Sequence, residues 1–254
     1  MRLKDEGAMA RLIPRVRLLL AAVAVCAVTA GGGAAGAPSV ASPGTCAATD
    51  PFSLYGDQIR FDVRRNGTLV GSHTVSFARE GEQITTATRF EVAVDVLFFT
   101  AYRYVYASEA TWRDGCLVGL TAAIDDNGKE SAVRVEGSGQ KLTVSGPSGI
   151  VQTDRETLPT EHWAYAVVGH EGVINTITGR VNRVDISPAA SETVETADGR
   201  AISARRYAYK GELDNEVWYD ADGRWVKMRF PAKDGSTIEY VCVKCGADRA
   251  GSRS

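Results

Sequence analysis

Residues 58–77 read QIRFDVRRNGTLVGSHTVSF, and this stretch decides the fold class. Apolar and polar side chains alternate before and after the dipeptide Asn66-Gly67. A period of two is typical of a strand with one buried face. Asn-Gly between two such runs predicts a two-residue turn, because both turn positions need a positive φ. The stretch therefore predicts two antiparallel strands joined by a tight hairpin.

The same alternation continues along most of the chain and is interrupted by glycine turns. Further turns are predicted at Asp114-Gly115, Asn127-Gly128, Asp198-Gly199, Asp222-Gly223 and Asp234-Gly235. About a dozen strands joined in this way form a long sheet, and accumulated twist makes such a sheet curl. We therefore expect a mainly β protein, an antiparallel meander curled into a partly open barrel. The alternative is two smaller β units that meet near residue 155.

One segment departs from the two-residue period. Residues 159–168 read PTEHWAYAVV, in which Thr160 is a suitable helix cap and an apolar cluster follows. We therefore expect one short helix near residues 160–168, cradled by the sheet.

The first residues predict where the protein is delivered. Basic residues between positions 11 and 17 precede an apolar run over 18–30, and Ser39-Val40-Ala41 offers a small-residue cleavage site. This order is typical of a secretory signal peptide, and the apolar run is too short to span a bilayer. We expect residues 1–41 to be removed and the mature protein to be periplasmic or secreted.

Composition divides the remaining chain into three parts. We expect a tether over 42–56, a single β domain over 57–246 and a disordered tail over 247–254. The formal net charge of −2 gives no reason to expect a nucleic-acid or anionic-membrane partner. No apolar stretch after the signal peptide is long enough for a membrane span.

Beyond the signal peptide the cysteines are Cys46, Cys116, Cys242 and Cys245. An even number in an exported chain favours disulfides, and three pairings are open. The last two form a C-x-x-C, but they end a strand, where no helix dipole lowers a thiol pKa as a redox site needs. A zinc site needs two more ligands, and no second pair has a suitable spacing. We expect neither a metal nor a cofactor.

No catalytic motif stands out around the histidines. His73 lies on an apolar face with Val75 and Phe77. It is either a half-buried histidine with one hydrogen bond or a polar group that orients a ligand in a cavity. His162 and Trp163 begin the expected helix, where they pack or line the mouth of a cavity. No G-x-S-x-G motif supplies a nucleophile for either histidine.

The most apolar stretch is Leu97-Phe98-Phe99, followed by Tyr102 and Tyr104. Neighbouring strand residues face opposite sides, so Phe98 and Phe99 cannot both face one core. One of them must contact a second apolar surface, which is either the helix or a lipid or protein partner. These residues, and Trp112 on the face of the tyrosines, are candidates to line a cavity.

Several short motifs occur together over about residues 55–241. They are Tyr102-Arg103-Tyr104, Trp112-Arg113-Asp114-Gly115, Asp125-Asp126-Asn127-Gly128, His162-Trp163, NTITG at 175–179, Trp218-Tyr219-Asp220 and Gly223-Arg224-Trp225. As a set they resemble a family of exported bacterial proteins classed as a domain of unknown function. The end of the chain, with Phe230-Pro231 and Ile238-Glu239-Tyr240, is also similar to envelope β proteins related to lipoprotein-carrier half-barrels. The resemblance implies an exported β protein of unassigned role and supplies no catalytic residues.

Three functions compete for this sequence. The first is an envelope protein that binds a lipid or another small apolar or amphipathic molecule, since a curled sheet of this size encloses either side chains or a cavity. The second is a structural or interaction protein with a filled core and an unknown protein partner. A hydrolase-type enzyme comes third, because no polar cluster has the spacing of a catalytic motif.

Overall fold

The computed structural model describes residues 46, 49–96 and 99–247, and the strands in this part form one fifteen-stranded sheet. A short helix, α1 (Pro51–Tyr55), precedes the strands, and a 3₁₀ helix (Tyr165–Gly169) lies between the ninth and tenth. The strands are β1 (Gln58–Arg65), β2 (Thr68–Glu80), β3 (Gln83–Val96), β4 (Phe99–Arg113), β5 (Cys116–Asp126), β6 (Lys129–Ser138), β7 (Lys141–Gly146), β8 (Gly149–Asp154), β9 (Leu158–Pro159), β10 (Gly172–Ile174), β11 (Val181–Glu195), β12 (Ala201–Gly211), β13 (Glu216–Asp220), β14 (Trp225–Pro231) and β15 (Thr237–Lys244). The expected signal peptide lies outside the described residues.

Neighbours in the sheet are mostly neighbours in sequence, as the alternating pattern predicts. Strands β8 to β1 follow one another in reverse order, β1 pairs with β15, and β15 to β9 complete the sheet. All pairs are antiparallel except β9 with β10. The antiparallel meander is therefore confirmed. The alternative of two separate β units is wrong, because the pairing of β1 with β15 joins both halves of the chain.

Residues 155–157 connect the two ends of this sheet, β8 and β9. A connection of this length spans at most about 15 Å, whereas fifteen strands side by side in a flat sheet would extend over about 65 Å. The sheet must therefore curl back on itself. Its two ends come together where the Ser148 N–H, between β7 and β8, donates to the carbonyl oxygen of Thr178, between β10 and β11 (3.1 Å). No ladder joins β8 to β9 in the described part, so the result is a partly open barrel, as expected.

The predicted hairpin turns are present. Asn66 and Gly67 have φ values of 49° and 85°, the left-handed conformation of a two-residue turn between β1 and β2. Asp114-Gly115 and Asn127-Gly128 show the same pair of positive values. Glycine adopts this conformation without strain, and Asn and Asp tolerate it.

Two local features differ from expectation. The short helix near 160–168 is a 3₁₀ helix over Tyr165–Gly169, capped by Ala164 rather than Thr160. It begins late because Leu158-Pro159 pairs with β10 and holds the chain extended. In the segment expected to be a tether, Asp50 caps α1 by accepting from the Phe52 N–H (3.0 Å), and Tyr55 is fully buried.

The cysteines lie in two pairs at disulfide-bonding distance. Cys46 and Cys116, with Cα atoms 4.7 Å apart, join the segment before α1 to the start of β5. Cys242 and Cys245, with Cα atoms 5.9 Å apart, lie at the end of β15. Two such pairs fit an oxidising compartment. A search of the described residues finds no helix with the length and hydropathy of a membrane span.

Gly71 marks a close approach between β2 and β3. A Cβ added to Gly71 would lie 1.9 Å from the Glu91 carbonyl oxygen. Gly71 lies opposite Val63 of β1 and Val92 of β3, on the inward face. No larger residue fits here unless the strands move apart.

The two cysteine pairs should contribute unequally to stability. A cross-link stabilises by restricting the unfolded chain, and the effect grows with the length of the closed loop. The sequence separations are 70 and 3. We expect Cys46→Ser/Cys116→Ser to lower the free energy of unfolding by about 4 kcal/mol and Cys242→Ser/Cys245→Ser by about 2 kcal/mol. Urea denaturation without reductant measures both, and an equal or reversed order would contradict the pairing.

The close approach at Gly71 predicts a matched pair of glycine variants. Gly71→Ala should lower the free energy of unfolding by about 1–3 kcal/mol, because the added methyl group forces the strands to shift. Gly119→Ala on β5 is the control, since its Cβ would have its nearest neighbour at 3.5 Å. Urea titrations that find the two variants equally stable would refute the steric argument.

Candidate functional site

The interior of the curled sheet is crossed by residues 157–167, which we name the inner segment. All of these residues except Thr160 are buried. The segment starts in the connection between the edge strands β8 and β9. It therefore enters the interior at the gap between the two ends of the sheet, which we name the seam. Its consecutive residues Glu161, His162 and Trp163 contact different walls of the sheet.

Tyrosine hydroxyls fix the inner segment to one wall. Tyr55 donates to the Trp163 carbonyl oxygen (2.9 Å) and accepts from the Trp225 N–H (2.8 Å). Tyr219 of β13 donates to the His162 carbonyl oxygen (2.9 Å). The His162 Nδ1 atom lies 3.3 Å from the hydroxyl of Tyr209 on β12. This wall therefore provides hydrogen-bond partners for two backbone carbonyl groups of the inner segment and for the His162 imidazole.

The opposite wall presents polar side chains from β3 and β4. Ser108 donates to one Glu161 carboxyl oxygen (2.7 Å), and the Thr86 hydroxyl lies 3.5 Å from the other. Thr88 lies directly opposite Ser108, and its buried hydroxyl has no hydrogen-bond partner among the described residues. We name Thr86, Thr88, Ser108 and Glu161 the polar track.

His73 of β2 lies next to the polar track, inside a cage of aromatic rings. Its ring centre is 5.0 Å from that of Tyr240, 5.3 Å from Trp225 and 6.1 Å from Phe90. Its buried Nδ1 atom has no partner in the part of the chain that the structure describes. His73 and Thr88 are diagonal neighbours on one face of β2 and β3, a separation of about 7 Å between their Cβ atoms.

The two ends of the interior differ. At the end near the β3–β4 connection, the rings of Phe90, Tyr104 and Phe230 are half-buried. Phe90 contacts Tyr104 (5.8 Å) and stacks on Tyr240 (5.6 Å), which also contacts Phe230 (6.1 Å). We name Phe90, Tyr104 and Phe230 the aromatic mouth.

The far end is closed by α1 and by packed rings. Trp163 contacts Phe77 (5.5 Å) and Trp112 (5.2 Å), and Phe77 in turn stacks on Tyr55 of α1 (5.9 Å). The interior therefore changes from half-exposed rings at the mouth, through His73 and the polar track, to a closed aromatic floor.

Burial changes the pKa of the interior groups. It lowers the pKa of His73 to about 3, with a smaller contribution from His162, and lowers that of His162 to about 4. It raises the pKa of the Glu161 carboxyl, against the hydrogen bond from Ser108 and the nearby Trp163 and Thr86 groups. The Trp163 N–H itself makes no hydrogen bond of normal geometry. The interior thus holds neutral imidazoles and a carboxyl that resists ionisation.

The structure brings most of the predicted site residues together. Those that face the interior are His73, Tyr104, Trp112, His162 and Trp163. Tyr102 is 38% exposed and donates to Asp126 (2.7 Å) at the rim. Phe98 lies outside the described residues, and Phe99 begins β4 with its side chain outside the described part. No three His, Cys, Asp or Glu side chains of the described chain are grouped to hold a metal ion.

The polar track was missed by sequence reasoning. Thr86 and Thr88 take two successive inward positions of β3, between Ile84 and Phe90. Two polar residues in an otherwise apolar row were the signal that could have found them. Glu161 did not stand out in the sequence, because it lies at the start of the expected helix, where an acidic residue is common.

Comparisons with known proteins give a family but no activity. The model of the family described as Domain of unknown function (DUF6134) matches residues 61–243, which confirms the resemblance that the motifs indicated. No curated protein matches the chain. A solved structure, the beta-barrel-like protein of domain of unknown function DUF1849 from Brucella abortus, is similar at 12% identity and a TM-score of 0.47. The match covers 74% of this chain and 96% of that one.

The buried groups predict how stability depends on pH. An unfolded histidine has a pKa near 6.5, so between about pH 6.5 and about pH 5 the unfolded chain binds protons that folded His73 and His162 do not. Each histidine then lowers the free energy of unfolding by about 1.4 kcal/mol per pH unit. Glu161 acts in the opposite direction, because its raised pKa gives a contribution that is present at low pH and lost as the pH rises.

Matched variants separate these contributions. On acidification from about pH 7 to about pH 5, His73→Phe should lose about 2 kcal/mol less stability than the unmodified protein. Glu161→Gln should lose more, because the opposing contribution is gone. His170→Gln is the control: partial burial also lowers the pKa of His170, so this variant should lose less stability than the unmodified protein but more than His73→Phe. Urea titrations at the two pH values test this, and identical losses in all four proteins would show that the interior groups do not titrate as stated.

Proposed function

Since the chain belongs to the DUF6134 family, a domain of unknown function, we propose its function from the geometry of the interior. The protein is an exported, non-enzymatic binding protein that takes up a small amphipathic molecule inside the curled sheet. The apolar part of the molecule lies on the aromatic mouth. Its polar end reaches His73 and the polar track.

The unpartnered Nδ1 atom of His73 carries this proposal. A buried polar atom without a hydrogen bond costs about 1–3 kcal/mol, and an apolar ring would fill the same place in the aromatic cage. The unpartnered hydroxyl of Thr88 lies on the adjacent strand and the same face. Trp163 Nε1 and Asn182 Oδ1 are also buried without a hydrogen-bond partner in the described part of the chain. Polar atoms kept at this cost are suited to bind the polar end of a ligand.

The aromatic mouth supports the other half of the proposal. Phe90, Tyr104 and Phe230 are half-buried rings that continue into the fully packed cage around His73. Apolar surface that is left partly exposed next to a polar interior suits an alkyl or ring portion of a ligand. The His162 imidazole contacts the Tyr209 hydroxyl rather than a serine or cysteine nucleophile, which favours binding over catalysis.

Export is part of the same proposal. The basic start, apolar run and small-residue exit of residues 1–41 support a signal peptide. The two cysteine pairs at bonding distance support an oxidising destination. We place the mature protein in the periplasm or outside the cell.

A second candidate function is an interaction protein with a filled core. The inner segment favours it, because its buried side chains occupy the interior. So does β8, an edge strand on which Ile150 is 77% exposed and Val151 is 37% exposed. An exposed apolar edge is a surface to which a partner strand adds.

His73→Phe tests the proposed function. The variant replaces an unpartnered imidazole by an apolar ring, so we expect it to be about 1 kcal/mol more stable. It should also bind a pyrene-labelled alkyl alcohol at least about tenfold more weakly, because the polar end loses its acceptor. Energy transfer from tryptophan to pyrene measures binding, and urea denaturation measures stability.

The control for this experiment is His162→Phe, which removes an imidazole that already contacts Tyr209 and should be less stable than the unmodified protein. Unchanged probe affinity in His73→Phe would contradict the assignment of the site. Organic extraction and mass spectrometry of natively purified protein add an independent readout. A protein that binds no amphiphile, but loses a captured partner on Ile150→Lys, would establish the second candidate instead.

A further inference from the structure

The charges inside the sheet restrict the ligand, in an inference that rests on the proposed function. Among the residues whose burial is described, the buried ones include no lysine and no arginine. They include two acids, Asp220 and Glu161. Asp220 is paired with the Arg224 guanidinium (2.6 Å). Within the described part, the hydrogen bonds of the Glu161 carboxyl come from the neutral hydroxyls of Ser108 and Thr86.

Ionising a buried carboxyl costs free energy, and no cationic side chain of the described residues pairs with Glu161 to offset this cost. Ionised, it loses its hydration and gains no ion pair in return. An anionic head group beside Glu161 would add a second negative charge in a medium of low dielectric constant. A cationic head group would instead supply the partner that Glu161 lacks.

The hydrogen-bonding atoms near Glu161 favour the same choice. Thr88 Oγ1 and His73 Nδ1 have no partner among the described residues. A hydroxyl oxygen accepts hydrogen bonds, and His73 Nδ1 accepts them in the tautomer that carries its proton on Nε2. Together with the Glu161 carboxyl they offer three acceptors on β2, β3 and the inner segment. An alkylammonium group has three N–H donors and no acceptor, so its donors match these atoms in number and kind.

The aromatic cage adds a third reason. Tyr240, Trp225 and Phe90 surround His73 with ring centres within 6.1 Å. Aromatic rings attract cations through their negative faces, and the attraction grows when the cation is removed from water. The negative faces of the same rings repel a carboxylate or a phosphate.

We infer that the polar end of the ligand is an organic cation, a primary ammonium or a closely related alkylammonium group. Glu161 binds it as a carboxylate, and Thr88 and His73 accept its remaining N–H groups. No covalent bond changes. Any proton that the Glu161 carboxyl carries in the free protein passes to solvent when the cation binds, so net charge is conserved.

Three amphiphiles with one chain and different head groups test this inference. Decylamine, decanol and decanoate are titrated into the natively folded protein at neutral pH and followed by calorimetry. We expect the amine to bind at least about tenfold more tightly than decanoate, with the alcohol between them. Decanoate binding as tightly as the amine would overturn the inference and leave the proposed function standing. If none of the three binds, the proposed function itself fails.

Glu161→Gln is the matched variant, because glutamine keeps the size and the hydrogen bonds but not the charge. It should bind the amine no more tightly than the alcohol. A variant that keeps the amine preference would show that Glu161 does not recognise the head group. Its fold is checked by circular dichroism before titration.

A second measurement decides the matter if Glu161→Gln does not fold. In the unmodified protein, the ratio of amine to alcohol affinity should rise from about pH 5 to about pH 7, because Glu161 must lose its proton to bind the cation. The other titratable groups facing this site do not interfere: burial holds the pKa of His73 near 3 and of His162 near 4, and raises that of Tyr106 and Tyr240. A ratio that is constant with pH would overturn the inference.

Discussion

Residues 155–157 carry the chain from one end of a fifteen-stranded sheet to the other, and the interior takes its form from this short connection. Because so few residues cannot cross a flat sheet, the sheet must curl until the edge strands β8 and β9 are close enough for this connection to join them. After β8 the chain therefore continues into the interior of the curled sheet. The inner segment therefore lies in the interior, and both walls of the sheet bury apolar side chains against it.

The two walls satisfy the inner segment in different ways. On the side of α1, β12 and β13, tyrosine hydroxyls pair with backbone carbonyls and with the His162 imidazole. These tyrosine hydroxyls and the His162 imidazole have partners without a ligand, whereas Asn182 Oδ1 on the neighbouring β11 has none among the described residues. On the side of β2, β3 and β4, a carboxyl faces neutral hydroxyls, and atoms of His73 and Thr88 stay unpartnered. Since native interiors rarely keep such atoms, we propose that the ligand binds between the inner segment and β2–β4.

Most strands could be predicted from local sequence patterns. Contacts between residues far apart in the sequence could not. Asn66-Gly67 sets its own hairpin because turn and flanking strands are contiguous. The pairing of β1 with β15 joins residues such as Asn66 and Thr237, and no local pattern carries that information. The cysteine pairing depends on the same distant contacts. The polar track was unpredictable in part because Glu161 meets Ser108 and Thr86 only once the seam has brought the inner segment inside.

The two ends of the interior differ in how closely they are packed, and we propose that a ligand enters at the less packed end. Trp163, Phe77 and Tyr55 close the far end, and the Cys46–Cys116 pair holds the segment before α1 to β5 at that same end. At the other end, the rings of the aromatic mouth are half-buried. Because side-chain rotation is a small motion, we propose that a ligand reaches His73 through the aromatic mouth and meets the apolar rings before the polar track.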